Sequence, residues 1–196
     1  MSEALPLAAV QEAVLEFLRD REDAVVFGAQ AVNAYVDDAR MTQDIDLLST
    51  HAGELAQELR DHLSQRFHIA VRIREVGEDR GYRLFQVRRA GNRHLVDLRS
   101  VESLPAARRI AGVLVIEPAE LIAAKVIAFH QRRGQPKSGT DWRDLAMLLL
   151  KFPEMKSEAG PVGDILRAAN ATPAALAVWE ELVKSEIVAA DEDDEF

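Results

Sequence analysis

The sequence predicts an α/β (α+β) architecture, a mixed β-sheet with flanking helices followed by a C-terminal helical part. Three observations carry this prediction. Short apolar runs alternate with helix-period segments over the first fifty residues. Two-residue alternation, the signature of a half-buried strand, appears at residues 67–74. Beyond Pro118 only helical spacing recurs.

Taken in order, Leu7, Val10, Val14, Phe17 and Leu18 recur at helical intervals and predict a helix over 7–19. Residues 24–27 (AVVF) read as a buried strand, stopped by Gly28. Residues 29–36 have short-helix spacing, and 44–48 (DIDLL) read as the next strand. Leu55, Leu59 and Leu63 align on a helix over 53–65. Residues 67–74 follow as a strand. Residues 82–88 read as another, with its inward face ambiguous, and Gly91-Asn92 turns the chain into 94–98 (HLVDL).

After Pro105 the chain changes character. Residues 113–116 read as one short extended piece, and Pro118 stands near the start of a helix over 119–132. A polar loop with Gly134, Pro136, Ser138 and Gly139 precedes a helix over 142–151 capped by Thr140 or Asp141. Two more helices are expected at 161–170 and 172–187. The expected organisation is a core over 1–112, a helical part over 113–190 and a solvated acidic tail over 191–196, where DEDDE occupies 191–195.

The chain has 196 residues, 48% of them hydrophobic and 29% charged, which fits a globular protein rather than a disordered one. It has no cysteine, which excludes disulfides, thiol nucleophiles and Cys-ligated metal sites. No secretory signal or membrane-spanning apolar run is visible, so the expected compartment is the cytoplasm, with no membrane partner. The net charge of −9 argues against a nucleic-acid coat protein. Yet residues 60–109 hold 12 Arg against 6 acids, which suits either a phosphate-bearing substrate or plain solvation of exposed strands. No Walker P-loop, G-x-G-x-x-G, nucleophile elbow or H-E-x-x-H is present. Trp142 and Trp179 read as core anchors, and His62 as a helix-surface residue.

One pattern carries chemistry. Asp44 and Asp46 stand two apart on a predicted strand, so the pleat puts both carboxylates on one face. Adjacent acids repel unless a cation compensates, and Mg²⁺ takes such hard oxygen ligands while leaving room for phosphates. Asp97, between Val96 and Leu98, is a third acid on an apolar strand and needs either a partner, with Arg93 or Arg99 nearby, or a function. Three carboxylates at one sheet edge suit two Mg²⁺ ions and an NTP. Arg40 either binds phosphate or pairs with Asp37 or Asp38, and Thr42 supports the turn that presents Asp44.

The stretch Phe27-Gly28-Ala29-Gln30-Ala31 followed by Arg40-Met41-Thr42-Gln43-Asp44-Ile45-Asp46 resembles the nucleotidyltransferase superfamily. Its Arg-x-Thr-x-Asp-x-Asp form resembles the minimal AbiEii-type toxins and their uncharacterised bacterial relatives. The resemblance implies Asp44 and Asp46 as the metal pair, Asp97 as the third carboxylate and Gly28 as the phosphate-loop glycine. Where the family carries a second Gly or Ser, this chain has Ala29, which offers a backbone N–H without a hydroxyl, and Gln30 is the substitute contact. The segment from Pro118 through Lys125, Arg132, Arg133 and Lys137 to Asp141 and Asp144 resembles the family's helical part. It implies Lys125 on nucleotide phosphates or pyrophosphate, with Asp141 or Asp144 orienting it or joining the two helices. Taken alone, Lys125 also fits a side chain that snorkels to solvent.

The expected function is Mg²⁺-assisted transfer of a nucleoside monophosphate from an NTP to a hydroxyl, with the C-terminal helices beside the nucleotide. The implied acceptors are RNA such as a tRNA end, a partner protein or a small hydroxylated molecule, with a cognate antitoxin as a further partner. A degenerate fold serving as a binding or scaffold protein, and a metal-dependent phosphohydrolase, are the two alternatives.

Overall fold

A computed structural model describes residues 5–78 and 80–189, so the acidic tail over 191–196 lies outside the described residues. The chain divides into two compact units, residues 1–34 with 39–117 and residues 35–38 with 118–196.

The first unit is built on a seven-stranded mixed sheet. In chain order its elements are α1 (Leu7–Phe17), β1 (Ala24–Phe27), α2 (Gly28–Tyr35), β2 (Ile45–Ser49), α3 (Ala52–Phe67), β3 (Val71–Val76), β4 (Gly81–Gln86), β5 (Arg93–Ser100), β6 (Ala107–Ile110) and β7 (Val113–Ile116). The strand order is β3-β4-β5-β2-β1-β7-β6. Two pairings are parallel, β2 with β5 and β1 with β7, and the remainder antiparallel. The helix α3 lays Leu55, Leu59 and Leu63, all at most 1% exposed, against this sheet. Truncating such a leucine costs about 2–5 kcal/mol.

The predicted order of helices and strands is the observed one, with local corrections. The alternation read from Phe67 begins only at Val71, because Phe67 completes α3 and His68 ends it in the left-handed region (φ 51°). The strand β6 was not anticipated. Its sequence, ARRI, carries two arginines and little apolar content, as edge strands commonly do, and it hairpins onto β7 through Ala111 and Gly112, both at positive φ. The ambiguous strand resolves clearly, since Leu84 and Gln86 of β4 are buried while Arg83 and Phe85 stay partly exposed.

The second unit contains α4 (Pro118–Gln131), α5 (Lys137–Lys151), a 3-10 turn (Pro153–Met155), α6 (Pro161–Ala168) and α7 (Pro173–Lys184). Proline in the first turn and Thr172 Oγ1, which accepts the Ala175 N–H at 3.2 Å, start α7 as its sequence predicts. The helix α5 begins at Lys137, earlier than Trp142, so Ser138 and Gly139 are helical and Asp141 does not cap the helix. Trp179 is a core residue at 2% exposed, whereas Trp142 is 39% exposed and only leans on Phe129. His62 is not a plain surface residue, because its ring packs on Phe17 at 5.0 Å. Among the described residues, no helix is long and apolar enough to cross a membrane.

Candidate active site

The strand β1 ends at Phe27 and the helix α2 starts at once on Gly28, whose φ of 67° favours glycine. Glycine is required there for a second reason. A Cβ at Gly28 would run into the Asp46 carboxylate, with Asp46 Cγ only 2.8 Å away. The backbone at the start of α2 is thus pressed against an acid of β2, and helix starts present free N–H groups suited to anions.

The parallel pairing of β2 with β5 sets Asp46 opposite Asp97, while the antiparallel pairing with β1 sets Asp46 opposite Phe27. Paired residues share a sheet face, so Phe27, Asp46 and Asp97 lie together. The Asp97 side chain is 17% exposed, and Arg83 Nε approaches its Oδ2 at 3.4 Å. The partner of Asp97 is therefore Arg83, across the β4–β5 pairing, rather than Arg93 or Arg99. Arg93 turns to the Leu5 carbonyl, and the Arg99 guanidinium sits 4.8 Å over the Phe27 ring.

Asp44 lies just before β2, so the pleat does not fix its direction. His94 does, because its Nδ1 is 2.8 Å from Asp44 Oδ2. The hydrogen bond to Asp44 raises the His94 pKa above the ordinary histidine value, partly offset by burial. His94 also stacks on Phe85, with ring centres 4.9 Å apart. Sequence reasoning missed His94 because it stands three residues before Asp97, an odd spacing that separates faces in a regular strand. A register shift between Leu84 and Phe85 removes the difficulty, since Leu84 pairs with Val96 but Phe85 pairs with His94.

The remaining predicted residues of this unit are engaged in the scaffold. Thr42 is buried, donates from Oγ1 to Gln30 Oε1 (3.2 Å) and accepts from Gln11 Nε2 at Oγ1 (2.9 Å) and at its carbonyl (3.0 Å). Gln30 is thus a link in the bridge that holds the loop leading to Asp44. It also lines, with Gln11 and Val26, a cleft of about 510 Å³. Successive strand residues point oppositely, so that cleft lies on the other side of β1 from Phe27 and Asp46. Ala29 occupies the second position of α2. The Arg40 N–H donates to Asn33 Oδ1 at 3.1 Å, which ties down the same loop. Asp37 and Asp38 belong to the second unit, where they hold Lys151 at 2.9 Å and Arg143 at 2.6 Å.

In the second unit Lys125 does not snorkel. It is 9% exposed, and its Nζ donates to Asp144 Oδ2 at 2.6 Å, with Asp144 fully buried. Asp141 accepts two bonds of 2.9 Å from Arg132 Nη1 and lies 4.0 Å from Lys125 Nζ. These carboxylates join α4 to α5, and Arg132, which the sequence marks only within the segment that resembles the family's helical part, is the partner of Asp141.

The acids are chemically suited to Mg²⁺, being hard oxygen donors with a glycine cradle at Asp46 that a Cβ would fill. Among the described residues, however, no three His, Asp or Glu side chains already converge on one point where a metal would sit. Asp44 and Asp97 are instead compensated by His94 and Arg83.

A family model described as nucleotidyl transferase AbiEii toxin, Type IV TA system, matches residues 12–194. No curated protein matches the chain significantly. Among solved structures, the Megavirus polyadenylate synthase superposes with a TM-score of 0.60 at 18% identity, covering 75% of this chain and 32% of that one. The chain therefore spans about a third of the viral protein's length. JHP933 from Helicobacter pylori gives 0.56 at 11% identity with 90% of both chains covered. ANT(2")-Ia, solved with adenylyl-2"-tobramycin, gives 0.51 at 17% identity, covering 84% of this chain and 97% of that one. At these identities the structural matches speak to the fold.

Proposed function

The chain belongs to the AbiEii nucleotidyl transferase family, and we propose that it transfers a nucleoside monophosphate from an NTP to a hydroxyl acceptor, with pyrophosphate released. The carrying observation is Asp46, opposite Asp97 across β2 and β5 and pressed against the backbone of Gly28. Asp44, Asp46 and Asp97 would hold Mg²⁺, three carboxylates being enough for the two ions such a reaction uses. Mg²⁺ so held supplies charge neutralisation at the phosphates and a lower pKa for the acceptor hydroxyl.

The start of α2, with Gly28, Ala29 and Gln30, faces nucleotide phosphate through its free N–H groups. Arg40 and Thr42 set the loop that presents Asp44. In the second unit Lys125 is the phosphate-contacting cation, with Asp144 and Asp141 orienting it. In the reaction the acceptor oxygen bonds to the α-phosphorus as the bond to the bridging oxygen breaks. Pyrophosphate leaves with that electron pair, and the hydroxyl proton passes to solvent.

The acceptor is RNA, a protein or a small hydroxylated molecule. The tobramycin adduct of ANT(2")-Ia shows that a neighbour in fold holds the last of these. The family's description as the toxin of a toxin–antitoxin system supports a cognate antitoxin as protein partner.

The test is calorimetry of each NTP with Mg²⁺, comparing the natural chain with the Asp44→Ala/Asp46→Ala variant. Binding by the natural chain that is lost in the folded variant supports the reading, and labelled NMP transfer to acceptor pools then identifies the product. Absence of binding in both, with folding intact, leaves a degenerate fold with a binding role. NTP loss without labelled acceptor would mark a phosphohydrolase.

A further inference from the structure

We propose that the face of β3, β4 and β5 opposite α3 binds single-stranded nucleic acid and guides it toward Asp46 and Asp97. Its second half rests on the nucleotidyl-transfer reading, whereas the binding surface stands without it. The strand register makes the case. Arg74, Arg83, Asp97 and Asp46 form one continuous cross-strand row, and Arg72, Phe85 and His94 form the next. Both rows run from the edge strand β3 inward to the acids.

The opposite face of the same strands is already occupied. Leu84 and Leu98 are fully buried, and the Tyr82 hydroxyl stands where a Cβ on Gly53 of α3 would be 3.0 Å away. The arginine face remains open, with Arg72 and Arg74 exposed and the Arg83 side chain 43% exposed. On this face β3 offers Arg72, Arg74 and Val76, and β4 offers Arg83 and Phe85, so among the described residues of these two strands no acid shares the face with the arginines. In a chain of net charge −9 this is a local concentration of positive charge.

The aromatic ring decides the class of partner. Phe85 is only half-buried and lies among the guanidinium groups, stacked on His94. Arginines track phosphates, and a ring between them stacks a base, which is the composition of single-strand platforms. A peptide of Asp and Glu alone would satisfy the arginines but brings no aromatic ring to stack on Phe85. A duplex would hide its base faces from the ring.

The experiment is fluorescence anisotropy of a short, labelled, mixed-sequence single-stranded RNA across a salt series, in EDTA and without nucleotide. Removing two phosphate contacts by Arg72→Gln/Arg74→Gln is expected to weaken binding at least about ten-fold and to flatten the log–log salt slope by about 1.4. Arg72→Lys/Arg74→Lys keeps the slope. Phe85→Leu weakens binding about ten-fold with the slope unchanged, as loss of one stacked base requires. Thermal melts establish that each variant is folded.

Failure of the natural chain to bind the RNA overturns the proposal. So does binding that is indifferent to the glutamine substitutions. Polyglutamate bound equally well, with the same dependence on Arg72 and Arg74, overturns it in favour of an acidic protein partner. Intact Mg²⁺–NTP binding without RNA binding sinks this inference alone, and the reverse pattern sinks the transfer reading alone.

Discussion

His94 Nδ1 lies 2.8 Å from the Oδ2 of Asp44, so the first acid of the Asp-x-Asp pair is aimed by an imidazole from the strand that also carries Asp97. Asp44 stands outside the regular part of β2, where nothing in the pleat would hold it. A partner that orients a metal-binding carboxylate commonly contributes 10–100-fold in metal affinity. His94→Ala is therefore expected to weaken Mg²⁺-dependent NTP binding about ten-fold. His94→Asn, which can still donate from a similar distance, should recover part of the loss. Calorimetric titration of the three proteins decides it, and equal affinities would remove His94 from the site.

Gly28 is constrained twice, by its φ of 67° and by the Asp46 carboxylate that fills the space of a side chain. Left-handed backbone alone costs a non-glycine residue about 1–2 kcal/mol. Gly28→Ala is expected to lower stability by at least that amount and to displace Asp46. NTP binding should then fall far more than the loss of stability explains. Denaturant unfolding measures the first effect, and calorimetry below the unfolding range measures the second.

Much of this was legible in the residues, and the remainder was not for identifiable reasons. The apolar run before Gly28, the leucine spacing of α3 and the Asp-x-Asp pair each carry their signal within a few adjacent positions, which is where periodicity works. The roles of His94 and Arg83 depend on which strands are neighbours, and on a register shift at Leu84 and Phe85 that no alternation rule contains. The strand β6 is legible only through its pairing with β7, because ARRI has no apolar face of its own. Lys125 is ambiguous on one helix and unambiguous once α5 brings Asp144 against it.

Lys125 and Asp144 form an ion pair removed from water, with Asp144 fully buried. Deleting one partner strands the other, at a cost of about 3–5 kcal/mol. Lys125→Ala is thus expected to destabilise strongly. The double variant Lys125→Met/Asp144→Leu should regain most of that stability, since well-packed apolar replacements of buried ion pairs are often neutral or better. It should not regain NTP binding if Lys125 serves phosphate. Urea midpoints for the single and double variants, together with NTP titration of the double, separate the two roles.

Arg21 grips Asp23 with Nε and Nη2 at 2.9 and 2.7 Å and reaches Glu58 with Nη1 at 2.7 Å. The bonds from Arg21 hold the Asp23 carboxyl below the usual carboxylate range, against the opposing effect of burial. A group whose pKa is depressed on folding stabilises the protein above its unfolded value, and that contribution fades as pH falls through the folded value. Both side chains are a quarter to a third exposed, so solvent screens the pair and its worth is about 0.5–1 kcal/mol. Asp23→Asn is therefore expected to lower the urea midpoint at neutral pH. The difference from the natural chain should shrink as the pH drops below about 4, the ordinary carboxylate value. Unfolding curves for both proteins at neutral and acid pH, at low and high salt, check the sign. A midpoint difference that grew on acidification would show that the carboxylate is not what Arg21 stabilises.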